Sequence, residues 1–318
     1  MAAKQEEASA YVYRSRFGEW DLRAGVRAKP RRVLIEEGSP EREFFSSALV
    51  PFIDHPLVVS LGPESRRELL VHHLYHYLDF TANFEIEVVN PAARMIALGH
   101  SGLELPPEML LDAYKIYCDE GYHSFFSADI KTQVQAATGI EPLPYHFSEF
   151  LQRLHHAHGT VPQNLKQISG LLIVVVFETL ISSILNNIPK DKRVVDAIRE
   201  MVSDHAEDEA KHHAFFSNLF DVLWRRPTKE ERTILGPFLP HFIIKSLEPD
   251  YTSIRRRLAT FDLEPEEIDQ IMEESYPRLE VIAGLCKTAS ATLHLFERNG
   301  LFEDQQTLDA FRASGLLR

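Results

Sequence analysis

Apolar residues recur every three or four positions along most of this chain from about Ser65 onward, the period of helices that each bury one face. Ser65-x-x-Glu68 reads as a capping box ahead of a first long helix, which Pro91 is expected to end or kink. A second helix opens at Pro106-Pro107 and stops at Gly139, with proline in its first turn and glycine just past its last. Beyond a proline-rich loop come a short helix near 147–158, a strongly apolar one over 164–188 and an amphipathic one over 190–226. Thr228-x-x-Glu231 predicts another capped start, with two or three further helices after it. Residues 1–45 lack this period. They are polar and rich in Arg and Glu, with Tyr11, Tyr13, Phe17 and Trp20 scattered among them, and are read as an irregular arm that wraps the body. The expectation is an all-α chain in one domain over 1–318: an arm at 1–45, a helical core at 65–217 and accessory helices at 218–318.

One apolar run needs a decision. Gly170–Phe177 is apolar throughout and the run resumes after Glu178, but it is shorter than the roughly 20 residues a bilayer needs, and Glu178 interrupts it. A helix apolar on every side also suits the centre of a bundle, and that is the reading adopted. The net charge of −13 argues against nucleic acid or anionic membrane as a partner. Two cysteines cannot supply a disulfide framework or a sulfur-based metal site, and no apolar signal segment follows the opening MAAKQEEAS, so a cytoplasmic setting is expected. Fifteen His then matter more, because any metal would sit on nitrogen and oxygen, ligands suited to iron or manganese.

Glu178 starts the chemical argument. Its neighbours Val174, Val175, Val176, Phe177, Leu180 and Ile181 cover every face of the helix, so the carboxylate is desolvated, at a cost of several kcal/mol unless it is neutral, paired or metal-bound. Of Glu85 and Glu87, two positions apart and so pointing about 200° from each other, Glu85 shares a stripe with Leu74, Leu78, Thr81, Val88 and Ala92. Positions 76, 80, 83, 87, 90 and 94 form the wetter face. Glu120-x-x-His123 lies on the stripe Met109, Ala113, Ile116, Ser127 and Ile130, and Glu209-x-x-His212 on the stripe Ile198, Val202, His205 and Phe216. A chain this rich in Glu and His would carry one or two Glu-x-x-His pairs by chance, so the pattern itself is weak. Its placement is not: both pairs fall on core-facing stripes, and each is preceded by a helix with a single core-facing Glu. His205, Glu209 and His212 share one narrow face.

The resulting order, Glu, Glu-x-x-His, Glu, Glu-x-x-His on four successive helices, resembles the ligand set of ferritin-like di-iron carboxylate bundles. Four buried carboxylates repel each other, and two divalent ions neutralise them. With His205 added one turn before the second pair, Glu85, Glu120, His123, Glu178, His205, Glu209 and His212 together resemble the AurF/CmlI-like di-iron N-oxygenases, which oxidise amines to hydroxylamine, nitroso or nitro compounds in natural-product biosynthesis. The resemblance covers about 85–213 by motif and 65–300 by helix pattern. It implies a ferritin-like four-helix core, two iron ions, O2 as co-substrate, a peroxo-di-iron intermediate and a small amine, aryl amines included, as substrate. It also implies that Glu120 and Glu209 bridge the irons, that Glu85 and His123 complete one, and that Glu178, His205 and His212 complete the other. The chain has no G-x-G-x-x-G and no Cys cluster, so an external electron donor, a reductase, is expected. A homodimer, a di-iron oxygenase or oxidase acting at C–H or C–C bonds, and a non-enzymatic iron-binding bundle stay open at this point.

Other residues are read as structural. His72, His73 and His76 face away from Glu85 and are assigned to surface or packing, as are His155, His156 and His158. His213 points about 100° from His212, Asp208 is a candidate acceptor for a ligating His, and Thr81 and Ser182 lie one turn from predicted ligands. Tyr117 and Tyr122 are read as buried, hydrogen-bonded tyrosines, and Arg255–Arg257 as a solvated face, with binding of a substrate carboxylate by one of the three as the alternative.

Overall fold

The computed structural model describes residues 13–34, 42–185 and 187–317, with the side chains at 155, 157 and 182–184 outside that set. Tyr11, much of the arm, and the side chains of His155 and Ser182 therefore lie outside the described residues.

Two short turns of helix, α1 (Trp20–Arg23) and α2 (Gly25–Ala28), lie in the arm, and α3 (Pro56–Ser60) precedes the core. The core helices are α4 (Pro63–Phe84), which runs through a π turn (Glu85–Val89) into α5 (Asn90–Ala97), then α6 (Pro107–Thr138), α8 (Lys166–Leu185) and α9 (Asp196–Leu223), with α7 (Phe147–Gly159) between the second and third. α4 and α5 pack on α6, α8 packs on α9, and α6 meets α9 across the bundle. No strand occurs among the described residues beyond one bridge, Glu43 to Val194, and the chain is all-α with a ferritin-like core.

One helix-start expectation needs correcting, and of the two outcomes expected at Pro91 the helix end does not occur. Helix α4 begins at Pro63 behind Gly62, whose φ of 91° suits only glycine, so Ser65 and Glu68 are inside the helix and Glu68 faces His72 at 3.5 Å. Pro91 does not end the helix. The π turn just ahead of it inserts one residue, which moves the buried stripe from Val88 to Val89 and carries the helix on to Ala97. Gly139 ends α6 in the left-handed region, and Thr228 and Glu231 form the reciprocal capping box ahead of α10 (Lys229–Leu235).

The β-branched run Val174–Val176 is a poor helix former, yet burial decides: the three side chains are at most 3% exposed. The stretch Gln163–Ile181 is long and apolar enough to cross a membrane, but 72% of it is buried in the bundle. C-terminal to the bundle come α11 (Leu239–Leu247), α12 (Tyr251–Leu258), α13 (Pro265–Ser275), α14 (Arg278–Thr288), α15 (Ser290–Arg298) and α16 (Gln305–Ser314). One hydrophobic core joins all of this, from Tyr13 to Leu316.

Candidate metal centre

Each core helix delivers its acid or imidazole to the same interior point. Glu85 stands where α4 passes into the π turn, Glu120 and His123 lie on α6, Glu178 on α8, and His205, Glu209 and His212 on α9. All seven are buried, none more than 6% exposed. His123 Nδ1 is 3.2 Å from Glu120 Oε2, 3.4 Å from Glu209 Oε1 and 3.5 Å from Glu85 Oε2. His212 Nδ1 is 3.0 Å from Glu120 Oε1 and 3.1 Å from Glu209 Oε1. Glu120 thus turns one oxygen to each imidazole. His205 Nε2 lies 3.1 Å from Glu85 Oε1 and 3.3 Å from Glu209 Oε1.

Two groups of donor atoms result, each within 4.8 Å: Glu85, His123, His205 and Glu209, and Glu120, His123, Glu209 and His212. His205, which the family pattern would set beside Glu178 and His212, stands instead with Glu85 and His123. Glu178 is in neither group. Its Oε2 is buried without a hydrogen-bond partner, as are both ring nitrogens of His205. Donor atoms that lie close yet make no hydrogen bond are what side chains aimed at a shared cation leave behind, and the all-nitrogen-and-oxygen set suits iron or manganese. The residues fit a pair of such ions.

Burial pushes the Glu178 carboxyl well above its usual range, with the Glu209 and Glu120 charges adding to it. Burial, together with Glu120, also raises Glu85. Burial opposes ionisation at Glu209 too, but His212, His123 and His205 hold it well below the usual value. The carboxylates therefore compete for positive charge, which either protons or metal ions must supply.

Behind the cluster the sequence repeats itself: Asp119-Glu120-x-x-His123 and Asp208-Glu209-x-x-His212. The repeat crosses between helices. His123 Nε2 faces Asp208 Oδ2 at 3.5 Å and His212 Nε2 faces Asp119 Oδ2 at 3.3 Å, so each aspartate holds the imidazole of the other helix with its Nδ1 turned inward. Asp208 was legible as a candidate. Asp119 was missed, although the matching acid before each Glu was the signal for both. The arm locks the pair: Trp20 Nε1 donates to Asp119 at 2.9 Å, Gly25 N–H and Lys211 Nζ donate to Asp208 at 2.9 Å each, and Phe17 stacks on His212. Phe84 and Phe177, each one residue before a single Glu, are buried and stack with centroids 3.6 Å apart.

The remaining readings divide. His72 is buried against Tyr75, and His73 and His76 line a cavity rather than the surface. His158 contacts the Lys166 carbonyl, and His213 is half-buried beside the cluster. Thr81 is buried one turn before Glu85. Tyr117 is exposed and Tyr122 half-buried under Gly25, so neither is the buried tyrosine expected. Asn90, expected on the wet face, is buried.

Residues 35–294, which include all seven cluster residues, match the family described as P-aminobenzoate N-oxygenase AurF. Over 261 residues the chain is 21% identical to a 4-aminobenzoate N-oxygenase from Streptomyces thioluteus, an alignment covering 78% of this chain and 77% of that one.

Proposed function

Since the chain belongs to the AurF family of p-aminobenzoate N-oxygenases and is an oxygenase, we propose that it uses two iron ions and O2 to oxidise the nitrogen of a small aryl amine. The observation that carries the reading is the cluster itself: seven buried nitrogen- and oxygen-bearing side chains from four helices, six of them in two overlapping groups that share His123 and Glu209.

In this proposal Glu85, His123 and His205 would hold one ion and His212 and Glu178 the other, with the carboxylates of Glu120 and Glu209 contributing to the same site. When bound and reduced, the iron pair supplies the electrons and Lewis acidity that move an oxygen atom from O2 to nitrogen. The chain's own residues do the rest. Asp119 and Asp208 keep the proton of each imidazole on Nε2, so that Nδ1 is free to ligate. Four carboxylates against three neutral imidazoles balance about four units of metal charge. Electrons come from a separate donor, because the sequence has no dinucleotide fingerprint and only two cysteines. The unpaired Cys118 and Cys286 support a reducing, cytoplasmic setting as part of the same proposal.

The test is reconstitution with Fe(II), metal analysis, then O2 and a panel of amines read by mass spectrometry. Two irons per chain with an amine converted to its hydroxylamine, nitroso or nitro form is the expected result. Two irons with oxidation at carbon would assign a C–H oxygenase instead, and bound iron without any product an iron-binding bundle.

A further inference from the structure

A cavity of about 460 Å³ lies under the C-terminal helices, within the size range of small-molecule sites. One wall is a single face of α4: His73, His76, Tyr77 and Phe80 at positions i, i+3, i+4 and i+7. The cavity therefore runs about 10 Å along α4 in the direction of Glu85. Its Glu85 end is aromatic, with Tyr77, Phe80 and Phe150. The Tyr77 hydroxyl is buried, and Tyr77 lies on α4 two helical turns before Glu85, on the cavity side.

The far end holds a buried cation that, among the described residues, has no carboxylate in ion-pair contact, although the charge of Asp250 favours it from further away. Of the three consecutive arginines on α12, Arg255 pairs with Asp269 and Arg256 with Glu149, both at the surface. Arg257 is the exception to the solvated face expected of this run: it is 4% exposed and lines the cavity. Its Nε has no hydrogen-bond partner, and its Nη1 reaches only the His72 carbonyl at 3.4 Å and His73 Nδ1 at 3.3 Å. The two acids of the cavity wall are engaged elsewhere. Glu248 pairs with Lys245 at 2.7 Å, and Asp250 takes Arg153 at 3.6 Å and caps α12 through Ser253. A buried guanidinium without an ion pair is costly, and the missing partner is one negative charge.

Resting on the N-oxygenase reading, we propose that Arg257 binds the carboxylate of an elongated aryl amine whose ring lies along Tyr77 and Phe80 and whose nitrogen points at the metal cluster. The length follows from the helix. Arg257 sits at the level of His73, twelve residues before Glu85, or about 18 Å along the axis. Allowing for contact at both ends, amine and carboxylate are roughly 10 Å apart, more than 4-aminobenzoate spans.

The experiment uses metal-loaded protein and calorimetric binding of 4-(4-aminophenyl)butanoate, its neutral primary amide, and 4-aminobenzoate. The wild type is expected to bind the butanoate roughly 10- to 100-fold more tightly than the amide, as a charge-assisted bidentate contact allows. Arg257→Gln should erase that preference while leaving amide affinity and metal content unchanged, and Arg257→Lys should restore part of it. If Arg257→Gln does not fold, the wild-type and Arg257→Lys comparison decides alone: a preference unchanged by Lys overturns the proposal. So does a wild type that does not distinguish acid from amide, or an Arg257→Gln that still does. If 4-aminobenzoate is turned over as efficiently as the butanoate, the length argument falls. Tight, Arg257-dependent binding of the butanoate with no oxidation of its nitrogen leaves this site standing and sinks the N-oxygenase reading instead.

Discussion

Gly25 is 98 residues from His123 in sequence, yet replacing it should loosen metal binding. Its N–H donates to Asp208 Oδ2 at 2.9 Å, and a methyl group added there would stand 2.8 Å from that same oxygen and 3.6 Å from the Tyr122 ring. Ordinary contact needs several tenths of an ångström more, so in Gly25→Ala the carboxylate must swing away. The His123 Nε2 contact, already 3.5 Å long, is the one it would give up. Losing a hydrogen bond to a charged group costs about 1.5–3 kcal/mol, and losing the support behind a ligating imidazole typically costs 10- to 100-fold in metal affinity. We expect Gly25→Ala to bind Fe(II) or Mn(II) about 10-fold more weakly, measured by calorimetric titration, with metal-free stability lowered by about 1–2 kcal/mol. Gly18→Ala is the control, since nothing lies within 4 Å of a methyl there. Wild-type metal affinity in Gly25→Ala would refute the claim that the arm positions His123 through Asp208.

On the other side of the cluster, Trp20→Phe keeps the ring packing but removes the donor to Asp119, and should weaken metal binding less than Asp119→Asn, in the same titration. Phe177→Ala removes a buried ring stacked on Phe84, and denaturant unfolding of the metal-loaded protein should show a loss of about 3–5 kcal/mol. Chelation should lower the unfolding temperature, because ions that bind only the folded chain stabilise it by about 2.7 kcal/mol at a hundredfold excess over Kd. His76 is pushed down to about 4 by burial and by Arg257. As pH falls, the unfolded chain therefore takes up this proton first, and the stability present above about 6.5 is lost between there and about 4. That loss is at most about 3 kcal/mol. His76→Gln should flatten it in acid unfolding followed by circular dichroism.

The bundle and its buried polar cluster were legible because one physical rule governs both: a residue on a core-facing stripe is buried whatever its chemistry, so polar residues that break a stripe reveal a candidate site. Glu85, Glu120, Glu178, Glu209 and the three His are all such breaks. What lay beyond the helical period was not legible. The π turn shifts the stripe by one residue after Glu85, which no regular period foretells. The arm has no period, so its grip on Asp119 and Asp208 depended on tertiary contacts alone. Arg257 sits in a charged triplet, where spacing does not say which of three neighbours turns inward; the packing of α12 on α4 decides it. His205 was found by its stripe, but its approach to Glu85 was not, because that depends on how α9 lies against α4 and not on α9 itself.

The central claim is that this buried cluster holds iron that delivers oxygen from O2 to an amine nitrogen. It is tested most directly by giving the Fe(II)-reconstituted protein a reductant, isotopically labelled O2 and an aryl amine, and locating the label in the product by mass spectrometry. The account predicts label bonded to nitrogen. Label bonded to carbon, or O2 consumed by the iron-loaded protein with no label in any amine, would contradict it.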